Sequence, residues 1–320
     1  MASTGSDAPP VDLLPVDIAA YADGNTGIPF VHSFRADADG PHLLINALTH
    51  GNEVCGAHAL CFLFDHTVRP TRGTLTLSFA NVAAYERFDA DRPSMSRYVD
   101  EDLNRVWTPA VLDGPRSSLE LTRARELRPA IDQADFLLDI HSMQHDSNPL
   151  MLCGLADKGR DLARGLGFPA HVVADAGHDA GVRMRDYGVF ADASSHRAAL
   201  LVECGQHWAM ESRIVAIQTA LRFLRHFDSV DRAFLDAHLL PVDTGAQRVI
   251  EVTGPVTIAS DRFYFTKDYT GLEVVAKAGT IIGYDGDAPV RTPYDDCVLI
   301  MPSRRIAKGQ TAVRFGRYVA

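Results

Sequence analysis

A series of short, nearly unbroken apolar runs, each giving way to polar residues where it ends, constrains this chain more than any other feature. HLLINAL (42–48), DFLLDIH (135–141), AHVVAD (170–175) and AALLVECG (198–205) read as strands buried on both faces, and TLTLSFAN (74–81) as an alternating one. Helical spacing appears between them. Val54, Ala57, Leu60, Cys61 and Phe64 recur on one face, Ser117 with Glu120 reads as a capping box opening a helix to about Gln133, and Ile214, Ile217, Leu221 and Leu224 mark a helix from about Met210 to Phe227. Strands alternating with helices predict an α/β domain with a mixed central sheet flanked by helices. Residues 1–40 read as a polar leader with little periodicity. Past residue 240 the texture changes: VIEVTGPVTIA, LEVVAKAGTIIGYDG and CVLIMP are short strands separated by Gly, Pro and Asp. The expected organisation is therefore residues 1–240 as the α/β domain and 241–320 as a small all-β domain.

Composition narrows the partners. The chain has 320 residues, 46 % hydrophobic and 22 % charged, enough for a large core. A net charge of −10 argues against nucleic acid and anionic membranes as partners, yet leaves room for a small anionic ligand met by clustered arginines. No apolar run approaches the ~18 residues of a membrane span. The start, MASTGSDAPPVD, lacks the basic and apolar regions of a secretory signal. Five cysteines at irregular spacing, none in a CxxC pair, suggest neither a disulfide framework nor a zinc ribbon. A cytoplasmic setting is the expectation.

Ligands in open α/β sheets bind outside the carboxyl ends of the strands, which directs attention to His50, Glu53, His141 and Glu203. His50-Gly51-Asn52-Glu53 places an imidazole and a carboxylate three apart where strand gives way to helix. Catalytic zinc takes three such protein ligands at about 2.0–2.2 Å plus water, and His141 at a distant strand end is the natural third. His145 and His207 are near in sequence to the same strand ends and can serve as supporting partners or compete as ligands. Glu203 closes a strongly apolar strand, either as a general base or as a carboxylate paired with an arginine or capping the next helix. SRYVDEDLNRVW (96–107) concentrates Arg97, Asn104 and Arg105. Those arginines either clamp an anionic substrate or neutralise Asp100, Glu101 and Asp102. Arg183, Arg185 and Tyr187 in GVRMRDYG form a further polar cluster with a possible place in the pocket.

HGNE (50–53), RYVDEDLNR (97–105), DIHS (139–142) and VECG (202–205), taken in that order, resemble the aspartoacylase/succinylglutamate desuccinylase family of the metallocarboxypeptidase group. The resemblance spans about residues 42–210. It implies a zinc carboxypeptidase-like fold with a β-rich second domain and one Zn2+ per chain held by His50, Glu53 and His141. It also implies Glu203 as general base and acid, Arg97 polarising the scissile carbonyl, and Asn104 and Arg105 holding a substrate carboxylate. Arg185 and Tyr187 are the nearest counterparts of the family's further substrate-binding arginine and tyrosine; Tyr264, Tyr269 and Tyr294 are the candidates for its C-terminal tyrosine. The implied activity is hydrolysis of a small anionic N-acyl amino acid, with a carboxypeptidase-like peptidase as the alternative. The acyl group, the amino acid and homo-oligomerisation are left open.

Overall fold

The computed structural model describes residues 9–177, 181–241, 245–304 and 306–319. The first eight residues of the polar leader lie outside the described residues. In chain order the elements are β1 (Val31–Arg35), β2 (His42–Ala47), α1 (Cys55–Asp65), β3 (Thr74–Phe79), α2 (Val82–Tyr85), α3 (Pro109–Leu112) and α4 (Leu119–Gln133). There follow β4 (Phe136–Met143), β5 (Leu150–Leu152), α5 (Asp157–Leu166), β6 (His171–Ala174), β7 (Ala198–Gln206), α6 (Met210–His226) and α7 (Arg232–His238). The C-terminal stretch is all strand: β8 (Arg248–Thr257), β9 (Phe263–Phe265), β10 (Glu273–Val275), β11 (Ile281–Asp285), β12 (Ala288–Arg291), β13 (Cys297–Ile300) and β14 (Thr311–Val319).

The architecture is mixed α/β: an 11-stranded sheet in the order β1-β3-β2-β4-β7-β5-β6-β8-β14-β13-β10, beside a three-stranded antiparallel sheet β12-β11-β9. Strands β3, β2, β4 and β7 are mutually parallel, so their carboxyl ends share one edge. Side chains alternate across a strand, and both faces here are covered. Leu43, Ile45, Leu138, Ile140, Leu200 and Val202 pack with α1 and α6. Leu44, Leu137 and Ala199 turn the other way, onto Leu121, Ala124 and Leu127 of α4. Two buried faces leave no polar alternation, which is why these strands read as continuous apolar runs. Strand β8 joins the same sheet parallel to β6, β14, β13 and β10 extend it further by antiparallel pairing, and Leu201, Ile250 and Val298 share one core cluster there.

Several expectations need correction. The leader contains β1, an edge strand antiparallel to β3; only Val31 of its five residues is buried, so it carries little apolar signal. The cap of α4 is Ser118, not Ser117: its side chain accepts the Leu121 N–H. Glu120 is not a capping partner, being wholly buried and bonded to the loop described below. On α6 the inward face is carried by Ala216, Ala220, Leu221, Phe223 and Leu224, while Ile214 is exposed.

Phe223 is fully buried between α6 and the sheet. Phe223→Ala should therefore lower unfolding free energy by about 3–5 kcal/mol, read as a drop in the denaturant midpoint with an unchanged m-value.

Candidate metal centre and its cleft

The chain leaves β2 through Leu48, a buried residue held at φ 61°, a conformation few non-glycine side chains tolerate. That turn sends Thr49 and His50 across the carboxyl edge of the sheet. Gly51 then packs so closely that a Cβ would run into the backbone of Ala84, Tyr85 and Ser96, and its N–H donates to the Arg97 carbonyl. The HGNE segment is thereby docked against the loop that carries Arg97. β4 and β7 contribute from the neighbouring strands, where His141 and Glu203 are register partners.

These connections bring His50, Glu53 and His141 together. Their donor atoms lie within 4.8 Å of one another and all three side chains are buried. Glu53 stands in the middle, Oε1 2.8 Å from His50 Nδ1 and Oε2 2.8 Å from His141 Nδ1. The outer nitrogens face carboxylates: His50 Nε2 is 2.9 Å from Asp102 and His141 Nε2 is 2.7 Å from Asp139. With its outer N–H donating to the carboxylate behind it, each ring would direct an Nδ1 lone pair at Glu53, the orientation that metal-ligating histidines adopt. Lone pairs from two imidazoles and a carboxylate cannot face each other in a dry site unless a proton or a cation lies between them. The donor set of two nitrogens and one carboxylate, with ring orientation held from behind, fits zinc.

The supports are themselves held. Asp139 Oδ1 accepts from Asn46 Nδ2 at 2.8 Å and Thr49 Oγ1 at 2.9 Å, and Ser142 N–H donates to Glu53 Oε2 at 3.2 Å. Arg97 donates to Glu53 and Asp102 at 3.3 and 3.1 Å, and its Nη2 also lies 2.8 Å from His50 Nε2. The Arg97 loop is tied down by Glu120, whose carboxylate accepts the N–H groups of Val99, Asp100 and Glu101 and the side chain of Asn81.

Burial and charge act against each other throughout the site. Burial would raise the Glu53 pKa, but His50 and His141 hold it well below the usual carboxylate range. Burial would lower His141, yet Asp139 and Glu53 raise it well above an ordinary imidazole. Glu203 goes the other way: burial, then the Glu53 charge, push it up to about 8. Its Oε2 is buried with no hydrogen-bond partner among the described residues. A divalent cation beside Glu53 opposes both causes and favours the ionised form.

Beyond these groups lies a cleft of about 490 Å3, lined by His50, Glu53, Arg97, Asn104, Arg105, His141 and Glu203. The structure thus brings seven of the expected site residues to one place. Arg185 and Tyr187 do not line it. Tyr187 packs against Trp107 and accepts from Arg128 at 2.9 Å, and Arg185 pairs with Asp186 elsewhere. In the turn they share, Arg183 is the residue that faces the cleft, bonded to Asp175 at 2.9 Å. His145 and His207 line the cleft outside the ligand group, His207 Nδ1 lying 2.8 Å from Ser142 Oγ. Of the C-terminal tyrosines only Tyr269 lines it. Asn104 spends its Oδ1 on the Met184 N–H at 2.9 Å, leaving its amide nitrogen for the cleft.

Arg314 of β14 also lines the cleft, with its Nε 3.8 Å from Asp175, and burial lowers its pKa to about 10 against the pull of Asp175. Sequence reasoning missed Arg314, Asp175 and Asp139. Asp139 had a signal, because a carboxylate two residues before a strand-terminal histidine lies on the same face of that strand. Asp139→Asn should weaken zinc affinity by about 10–100-fold, measured by chelator competition on protein whose circular dichroism is unchanged.

Comparison with known proteins follows the same outline. The family model described as the succinylglutamate desuccinylase/aspartoacylase catalytic domain matches residues 39–227. Human N-acyl-aromatic-L-amino acid amidohydrolase (carboxylate-forming) is 37 % identical over 103 residues, 29 % of this chain and 31 % of that protein, so the match spans less than a third of the relative's length. Among solved structures, succinylglutamate desuccinylase from Vibrio parahaemolyticus superposes with a TM-score of 0.66 at 16 % identity, covering 91 % of this chain and 87 % of that one. The succinylglutamate desuccinylase/aspartoacylase of Rhodobacter sphaeroides gives 0.65 at 19 %, covering 91 % and 89 %. The product-bound ectoine utilization protein EutE of Ruegeria pomeroyi gives 0.62 at 17 %, covering 90 % and 88 %. At such identities the likeness is one of fold.

Proposed function

The chain belongs to the succinylglutamate desuccinylase/aspartoacylase family, and from that premise we propose that it is a zinc-dependent hydrolase of a small anionic N-acyl amino acid. The observation that carries the reading is the meeting, in one cleft, of a buried His-Glu-His donor group, a buried carboxylate oxygen on Glu203 without a partner, and arginines from three parts of the chain. On this reading residues 1–240 hold the catalytic machinery, and 241–320 supply the outer wall of the cleft.

His50, Glu53 and His141 would hold the metal, whose contribution when bound is Lewis acidity and a water pKa brought down toward ~7. Glu203 accepts the proton of the attacking water and delivers it to the amide nitrogen as the carbon–nitrogen bond breaks, leaving a carboxylate and an amine. Arg97 donates to the carbonyl oxygen as negative charge gathers on it, an electrostatic role of the oxyanion-hole type. The Asn104 amide and the guanidinium groups of Arg105 and Arg183 receive the substrate carboxylate.

Small substrates are favoured over polypeptides by the C-terminal wall. Ser147 and Gly271 form an isolated β-bridge and both line the cleft, as do Tyr269, Met301, Pro302 and Thr311 of the C-terminal segment. The peptidase alternative is therefore the poorer fit.

A panel of N-succinyl, N-acetyl and N-aroyl amino acids together with short peptides, assayed with the zinc-loaded protein, tests the proposal. At least one acyl amino acid should turn over. Glu203→Gln should reduce turnover by about 10²–10⁴-fold with zinc still bound, whereas His50→Ala should lose the metal. Cleavage of peptides alone would replace this reading with the peptidase one.

A further inference from the structure

Asp175 lines a second cavity, of about 550 Å3, while its ion-pair partner Arg183 lines the cleft. One wall of this cavity is the start of α5. The opposite wall is the segment around Phe190 and Ala193, stapled to α5 by Lys158, whose Nζ donates to the carbonyls of Val189, Asp192 and Arg197 at 2.9, 2.7 and 2.6 Å. The volume falls in the range of small-molecule sites.

Polar groups in this cavity remain incompletely bonded. Arg185 is only 3 % exposed; Nη2 reaches Asp186 Oδ1 at 2.7 Å and the Asp175 carbonyl at 3.4 Å, but Nε has no hydrogen-bond partner among the described residues. Its Nη1 occupies the space a Cβ on Gly154 would need. The ten-residue helix α5 opens at Ala156 with no side-chain cap, so its first N–H groups add positive potential on the same side. Asp157 in that first turn is exposed and does not line the cavity. Asp186 lines the same cavity, and its Oδ2 is buried with no hydrogen-bond partner among the described residues. Leaving a buried charged donor and a buried carboxylate oxygen unmet is costly.

We propose that this cavity is a second binding site, for a free α-amino acid, distinct from the cleft beside His50, Glu53 and His141. The carboxylate is received by Arg185 and the start of α5, the ammonium by Asp186, and the side chain by the apolar surface of Phe190 and Val182. Arg185 and Asp186 neutralise each other through Nη2 and Oδ1, so what remains is one donor and one acceptor: a simple anion leaves Asp186 Oδ2 without a donor, a simple amine leaves Arg185 Nε without an acceptor, and a zwitterion answers both at once. The amine released by the proposed hydrolysis has this chemistry, but the binding stands or falls separately from that reading.

Calorimetric titration of the zinc-loaded full chain with glycine, L-glutamate and L-phenylalanine, with acetate and methylamine as controls, tests it. At least one amino acid should saturate a site that neither control fills at the same concentration. Binding should weaken by about tenfold or more in Arg185→Gln, disappear in Ala193→Trp, which fills the mouth from an exposed position, and persist in Glu203→Gln. Should Arg185→Gln fail to fold, Ala193→Trp decides alone. No binding by any of the three at millimolar concentration, or binding indifferent to Ala193→Trp, overturns the proposal.

Discussion

Glu53 is a carboxylate shut away from water, and much of the local architecture can be understood as its satisfaction. It has His50 on one oxygen, His141 and the Ser142 N–H on the other, and Arg97 alongside. A buried charge survives only when paired and hydrogen-bonded. The partners come from the turn after β2, the end of β4 and the loop before α3, segments far apart in the chain. Parallel pairing of β2, β4 and β7 is what lets them converge, because it places three carboxyl ends along one edge.

A second layer of carboxylates holds that arrangement. Asp102 and Asp139 fix the histidine rings, and Glu120, from the first turn of α4, gathers three consecutive N–H groups of the Arg97 loop. Glu120 thus links the helical layer to the Arg97 loop without lining the cleft. The C-terminal strands act at the other rim. β14 delivers Arg314 to Asp175, which already binds Arg183, so this arginine-bearing wall of the cleft joins residues over a hundred positions apart.

Much of this was legible in the residues. The apolar runs located β2, β4, β6 and β7, because strands buried on both faces leave no other pattern, and the alternation in TLTLSFAN located β3. HGNE, DIHS and VECG marked the strand ends. The helix α5 was legible but unread: Gly159, Leu162, Ala163 and Leu166 follow its buried face, and Gly167 at φ 66° ends it. Strand β1 was harder, since an edge strand with one buried residue carries almost no periodic signal. Arg185 and Tyr187 illustrate a different limit. Arg183, Arg185 and Tyr187 are close in sequence, but a 3-10 turn over Met184–Asp186 sends them to different surroundings.

Apolar periodicity and local motif spacing are short-range properties, and they carry the alternation of buried strands and helices, the histidines and carboxylates at the strand ends, and the family. The tertiary structure decided what no local pattern contains: which strands lie side by side, and hence that Glu53 bridges His50 and His141. It also decided which arginine of the 183–185 turn enters the cleft, and that Arg314 reaches it from β14. Each of these depends on sheet order and register, set by packing among residues distant in the chain.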